Sequence, residues 1–177
     1  SSSAASDVYK RQKQTNRMLF FVLTLLAPMA CWAVLTDFEG AAKQLSDYTG
    51  QGKWTIVMFW ASDCHVCNAE VEQYIQFHEN HKARNASVLG ISLDGSARLV
   101  AAHDFIKRHD VTFPNLIGEP EAVANLYQEL TRSYWMGTPT FLVFDPQGEL
   151  KAAQPGAVPA ELIESFIKQS TTDADKQ

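Results

Sequence analysis

The chain has 177 residues, 46% of them hydrophobic and 11% aromatic, which suits one sizeable core plus a terminal appendage. A formal net charge of -5 leaves no basic face for nucleic acid, so a nucleic-acid partner is excluded from the reading. Three cysteines, Cys31, Cys64 and Cys67, are too few for a disulfide framework or for a four-thiolate metal site.

Residues 1–12 are polar and serine-rich, and Asp7 to Gln12 back-translates to resemble a transposon end used in preparing sequencing libraries. They read as a read-through artefact or a disordered tail and stay outside the fold argument. Residues 13–33 follow the order of a secretory signal. Lys13 and Arg17 supply positive charge, Met18 to Ala30 is an uncharged apolar run, and a small-residue site follows at Cys31-Trp32-Ala33. Cleavage after Ala33 would leave two cysteines, both in one C-x-x-C, in a compartment where disulfides form. The alternative is an uncleaved membrane anchor over residues 18–35, near the lower length limit for a span. Lipid attachment through Cys31 is weaker, because Pro28 and Met29 stand where such sites carry Leu and a small residue. Either way the expected location is periplasmic or exported.

Residues 34–170 read as one alternating α/β domain, with a polar tail at 171–177. Asp37 to Trp54, with Gly40, Gly50 and Gly52, suits an N-terminal hairpin or a strand with a short helical turn. Thr55 to Trp60 is a buried strand. From Cys64 to about Asn80 a helix follows, with Val71, Tyr74, Ile75 and His78 on its inward face. Ser87 to Leu93 is a second buried strand, closed by a turn at Asp94-Gly95. Ser96 is expected to cap a helix reaching about His109, with Leu99, Ala102, His103 and Ile106 inward. Phe113 to Ile117 is a short strand or extended segment. Pro120 to Leu130 is a helix facing in through Val123, Leu126, Tyr127 and Leu130. Thr140 to Phe144 and Glu149 to Ala153 flank the turn Asp145-Pro-Gln-Gly148 as a hairpin. Pro159 opens a last helix to about Gln169, with Ser170 to Gln177 frayed beyond it.

The chemistry centres on Cys64 and Cys67. A thiolate, not a thiol, attacks a disulfide, so one cysteine of a working pair needs a lowered pKa. The start of a helix favours negative charge on Cys64, and His65 can add positive charge beside it. Cys67, one turn on, can attack the mixed disulfide that Cys64 forms, so Cys64 attacks and Cys67 resolves. A lone C-x-x-C also fits zinc or haem attachment. Haem attachment needs His after the second cysteine, where Asn68 stands. A metal would need ligands from His65, His78, His81, His103 and His109. Of these, His78 and His81 read as surface or half-buried helix positions, and His103 and His109 as ordinary helix residues. A purely structural disulfide gains little, since a two-residue loop closes with small entropic benefit. The cofactor expectation is none beyond the redox-active Cys64–Cys67 disulfide, with no metal. The competing function is a Cu(I) metallochaperone or non-catalytic scaffold using the same thiolates. A peroxidase reading is set aside, because the residues before Cys64 lack the threonine and proline pattern around a peroxidatic cysteine.

Gly137-Thr138-Pro139-Thr140 before a buried strand, with Phe59-Trp60-Ala61 ahead of the cysteines, resembles the thioredoxin-like fold, a central mixed sheet flanked by helices. Asp37-Phe-Glu-Gly40, Ile91-Ser-Leu-Asp94, Phe113-Pro114 and the run to Asp145 narrow the likeness to the TlpA/ResA-like branch of exported thioredoxins, over about Asp37 to Gln169. That resemblance implies an N-terminal hairpin and an αβ insertion. It also implies a cis Thr138–Pro139 bond and a Thr138 backbone that pairs with an incoming substrate strand. Members are thiol-disulfide oxidoreductases, many of them reductants. The implied partners are protein thiol or disulfide substrates and a membrane or periplasmic redox donor.

Departures from the pattern concern the residues that modulate the pair. Asp63 replaces the usual Trp before the first cysteine, and its charge should oppose thiolate formation. Met58 stands where thioredoxin keeps a buried Asp, and Glu70 is the nearest substitute carboxylate, although an exposed helix Glu is the simpler reading. The x-x pair is His65-Val66, without proline, and Trp60 closes the strand above the site.

Overall fold

The computed structural model describes residues 35–174, so the expected tail, signal or anchor at residues 1–33 lies outside the described residues. Among the described residues no helix is long and apolar enough to cross a membrane.

Seven strands form one mixed sheet. In chain order they are β1 (Leu35–Asp37), β2 (Ala42–Lys43), β3 (Trp54–Trp60), β4 (Ala86–Ser92), β5 (Asn115–Ile117), β6 (Thr140–Phe144) and β7 (Leu150–Pro155). Four α-helices accompany them among the described residues: α1 (His65–His81), α2 (Leu99–Arg108), α3 (Pro120–Thr131) and α4 (Ala160–Ala174). The sheet order is β2-β1-β5-β4-β3-β6-β7. β3, β4 and β5 run parallel through helical crossovers, while the β1-β2 and β6-β7 hairpins add antiparallel edges. The expected N-terminal hairpin and the α2-β5 insertion are both present.

β3 is buried at all seven positions, the continuous apolar run expected of a strand covered on both faces. Its alternation divides the core. Ile56, Met58 and Trp60 face one layer with Val71, Tyr74, Phe105 and Ile163, drawn from α1, α2 and α4. Val57 and Phe59 face the other, against Val123 and Tyr127 of α3. Two aromatic stacks tie helices to the sheet, Trp60 on Phe105 with ring centroids 4.2 Å apart and Tyr74 on Phe141 at 4.5 Å.

Several local expectations shift. Helix α1 runs over the expected span and buries Val71, Tyr74, Ile75 and His78. Ser96 does not cap α2, whose N-cap position is Arg98 with no side-chain cap; the Ser96 N–H donates to Glu119 Oε1 at 2.8 Å. Ser96–Arg98 instead forms a 3-10 turn before the α-helix starts at Leu99. Ala102 is buried as expected, with Leu99 and Ile106 packed against the core, and Phe105 rather than the exposed His103 completes the inward face. The last helix continues past Gln169 to Ala174, its final turns carrying the Thr171 and Thr172 hydroxyls bonded back to Ile167 and Lys168 carbonyls.

His78 is buried on the inward face that its spacing predicted, rather than at the surface or half-buried position it was given among the candidate metal ligands. β5 pairs with β4 only from Gly90 to Ser92, and the Val88 N–H donates instead to His78 Nδ1 at 3.1 Å. A backbone N–H cannot accept, so Nδ1 must stay unprotonated. Burial, aided by Lys82 and opposed by Glu79, pushes the His78 pKa below its ordinary value. The unfolded chain then binds the proton first as pH falls. Stability is full above about pH 6.5 and is lost as pH drops through the lowered native value. Thermal melts between pH 7.5 and pH 5 should show this decline, and a His78→Gln variant should show a flatter one.

Candidate active site

The strand β3 delivers the chain to a short turn, Ala61 to Asp63, and Cys64 then caps α1. Cys64 has extended backbone angles, and its sulfur accepts the Cys67 N–H at 3.0 Å, in the way an N-cap side chain answers one of the helix's free donors. Cys64 and Cys67 are joined as a disulfide with Cα atoms 5.2 Å apart. Their surroundings differ. Cys67 is 0% exposed, packed in the core with Met58 and Val71, while Cys64 is half-buried at the surface. A partner can therefore reach one sulfur and not the other.

The turn itself is fixed by a residue that the sequence marked only as a turn signal. Asp94, at the end of β4 and 5% exposed, accepts the Ser62 N–H and the Ser62 hydroxyl, both at 2.8 Å, and the Ser92 hydroxyl at 2.9 Å. Arg98 completes the carboxylate's shell through Nε at 3.1 Å and also pairs with Asp63. The charge of Asp63 is thus answered by a guanidinium rather than acting on Cys64 alone.

On the opposite side, Asn68 takes the place after the second cysteine. Its amide nitrogen donates to the Cys64 carbonyl at 2.8 Å and the Ser62 carbonyl at 3.3 Å. Its oxygen accepts from Arg108 at 2.8 Å and faces His109 Nε2 at 2.9 Å. The inserted helix α2 therefore holds the cysteine loop from outside. His109, read as an ordinary helix residue, is the C-cap of α2 and carries one end of this chain. Its pKa is lowered, first by desolvation and then by Arg108, with Glu72 opposing. No spacing rule pairs residues 68 and 109, because their meeting depends on the fold.

The other expected site residues fall as follows. His65 is exposed and Val66 is 41% exposed, so both flank the open sulfur. Trp60 lies beneath the turn at 1% exposure, and its Nε1–H donates to Asn115 Oδ1 at 3.0 Å. Gly90 makes room for that bond, since a Cβ there would overlap the Asn115 amide and lie 2.9 Å from Trp60 Nε1. Gly90→Ala should cost about 1–3 kcal/mol in urea unfolding, by displacing Asn115 and leaving a buried indole donor unpaired. Glu70 is half-buried and bonded to Gln73 Nε2, and Gln73 in turn accepts the Ala160 N–H at the start of α4. Its carboxylate is engaged away from the cysteines.

The register Phe59↔Thr140 puts Pro139 level with the end of β3, at the same end of the sheet as the turn. The Thr138–Pro139 peptide bond is cis, as the family likeness implied. Pro139 is buried and its carbonyl accepts the Gly156 N–H, while the Thr138 N–H and carbonyl have no hydrogen-bond partner among the described residues. Just upstream, Trp135 is anchored against Phe59 and Tyr127, leaving Tyr134 82% and Met136 76% exposed on either side of it.

A capped C-x-x-C beyond a buried strand, beside a cis proline on a seven-stranded mixed sheet, defines a thioredoxin-fold thiol-disulfide oxidoreductase. The chain belongs to the AhpC/TSA family, whose model matches residues 27–153, and its relatives match the TlpA/ResA-like likeness. Thiol-disulfide oxidoreductase ResA of Geobacillus kaustophilus is 29% identical over 136 residues, covering 76% of this chain and 72% of that protein. Sporulation thiol-disulfide oxidoreductase A of Bacillus subtilis is 25% identical over 120 residues, 67% of this chain and 69% of its own. Among solved structures, StoA from Bacillus subtilis superposes with a TM-score of 0.58 at 22% identity, covering 76% of this chain and 97% of that one. A thioredoxin-family thiol:disulfide interchange protein from Chlorobium tepidum gives 0.63 at 20% identity over 76% and 89%. At those identities the structural likeness speaks for the fold alone.

Proposed function

We propose that this protein reduces disulfides of protein substrates outside the cytoplasm, through Cys64 and Cys67. The observation that carries the reading is the unequal burial of the two sulfurs at one helix start, with Cys64 within reach of a partner and Cys67 sealed behind it. In the reduced protein, Cys64 gives its proton to solvent and the thiolate attacks a substrate disulfide. One substrate sulfur leaves as a thiolate and takes up a proton. Cys67, deprotonated in turn, displaces the second sulfur, so that the substrate becomes a dithiol and the Cys64–Cys67 disulfide forms. A separate thiol donor must then return two electrons and two protons.

The unpartnered Thr138 backbone supports pairing with an extended substrate segment, and exposed Val66, Tyr134 and Met136 offer it apolar contact. The reducing direction follows the family resemblance, and the extracytoplasmic location follows the signal-like order of residues 13–33. A Cys67→Ser variant expressed in a host with an oxidising exported compartment should accumulate mixed disulfides through Cys64, visible as adducts lost on adding reductant. Absence of adducts, together with tight Cu(I) retention by the wild-type dithiol, would replace this reading with the metallochaperone.

A further inference from the structure

The turn that carries Cys64 holds two carboxylates next to a sulfur whose reactive form is an anion. Asp63 precedes Cys64 in the chain, and Asp94 grips Ser62 of the same turn from the end of β4. Left alone, both charges would disfavour a Cys64 thiolate.

A single guanidinium spans them. Arg98 donates through Nη1 to Asp63 Oδ2 and through Nη2 to the Ser62 hydroxyl at 3.1 Å, and its Nε lies 3.1 Å from Asp94 Oδ1 as an ion pair. Its position is set by the 3-10 turn Ser96–Arg98, which starts from Gly95 at φ 62° and is tied to Glu119 by the Ser96 N–H. The three contacts differ in kind. Asp94 is buried and fully engaged by its own element and by Ser62, so its carboxylate would hold the turn without Arg98. Asp63, with a side chain 62% exposed, has no structural task that needs a cation. The pairing of Arg98 with Asp63 therefore bears on charge near the sulfur more than on stability.

We propose that Arg98 is a positioning residue that sets the reactivity of Cys64 by neutralising Asp63 and Asp94 beside it. The inference rests on the dithiol-exchange reading and names the group that regulates it. The charged and titratable groups facing the turn are Asp63 and His65 in the chain itself, Asp94 and Arg98 from the segment after β4, and Arg108 and His109 from the end of α2, which act through Asn68. Among the cations of the described residues, Arg98 alone bonds directly to a residue adjacent to Cys64. Asp63, expected to oppose thiolate formation beside Cys64, finds its cation 35 residues further on.

The test uses the full chain, reduced, with the rate of iodoacetamide alkylation at Cys64 followed from pH 5 to pH 10 in Cys67→Ser and in the same background with further substitutions. Arg98→Ala should raise the Cys64 thiol pKa by about half a unit, a roughly threefold loss of thiolate on the acid side of the curve. Asp63→Asn should move it the other way, and the pair of substitutions together should return it towards the parent. Arg98→Lys should keep most of the parent value, and added salt should shrink every difference. A brace with no electrostatic role would lower the melting temperature of Arg98→Ala and leave the pH profile in place. That outcome, or a double variant that stays at the Arg98→Ala value, overturns the proposal. If Arg98→Ala does not fold, the exposed Asp63→Asn still decides, since an unmoved profile there overturns it as well. Failure of the parent wild type to reduce a model disulfide would count against the exchange reading instead, leaving the alkylation series to judge Arg98 separately.

Discussion

Replacing Cys64 by serine should lower the rate of disulfide exchange by at least about a thousandfold, because no other sulfur in the pair can be reached by a protein partner. The expectation comes from packing. Cys67 is enclosed by Met58 and Val71 at 0% exposure, and Cys64 stands half-buried at the helix start with His65 and Val66 open beside it. Cys67→Ser should behave differently, since it removes resolution and keeps attack. Turnover then stops after one event and the adduct persists. Insulin reduction followed by turbidity, with adducts scored on non-reducing gels, separates the two. Equal behaviour of the two variants would show that the sulfurs are not divided into attacking and resolving roles.

Asp94→Ala should cost about 3 kcal/mol of stability. Removing the carboxylate strands the Ser62 N–H and hydroxyl, the Ser92 hydroxyl and the Arg98 Nε, several of them away from water. Asp94→Asn should lose less, because an amide still accepts at one oxygen. Urea unfolding should show a lower midpoint for Asp94→Ala with an unchanged slope. The same variant should exchange disulfides more slowly, as the turn before Cys64 loses its tether to β4. A midpoint within about 0.5 kcal/mol of wild type would mean that the tether is not structural.

How far these features could be read in advance depends on what generates each one. β3 and β6 are continuous apolar runs between turn residues, so their ends were legible within a residue. The inward face of α1 followed from spacing alone, down to Tyr74 and Ile75. The C-x-x-C, its place at a helix start and the cis proline were also legible, the last through family likeness rather than periodicity. What escaped was set by contacts between distant segments. On α2, Phe105 rather than His103 completes the buried face formed with Leu99, Ala102 and Ile106. His78 became a core acceptor because β5 is too short to pair with Val88. The links of Asp63 to Arg98 and of Asn68 to His109 join residues 35 and 41 positions apart, where single-sequence patterns carry no signal. Glu70, offered as a proton carrier by proximity in sequence, is instead engaged with Gln73.

A Cys64–Cys67 disulfide that is worked differs from a merely structural one in its reduction potential. Equilibrating the protein in dithiol redox buffers of graded potential, quenching with an alkylating agent and weighing the products measures that potential directly. One two-electron transition between roughly -270 and roughly -120 mV, ending in two alkylated thiols, is the predicted result, with the reducing end favouring a reductase. A pair that stays oxidised at potentials below roughly -300 mV would mark a structural disulfide and contradict the account.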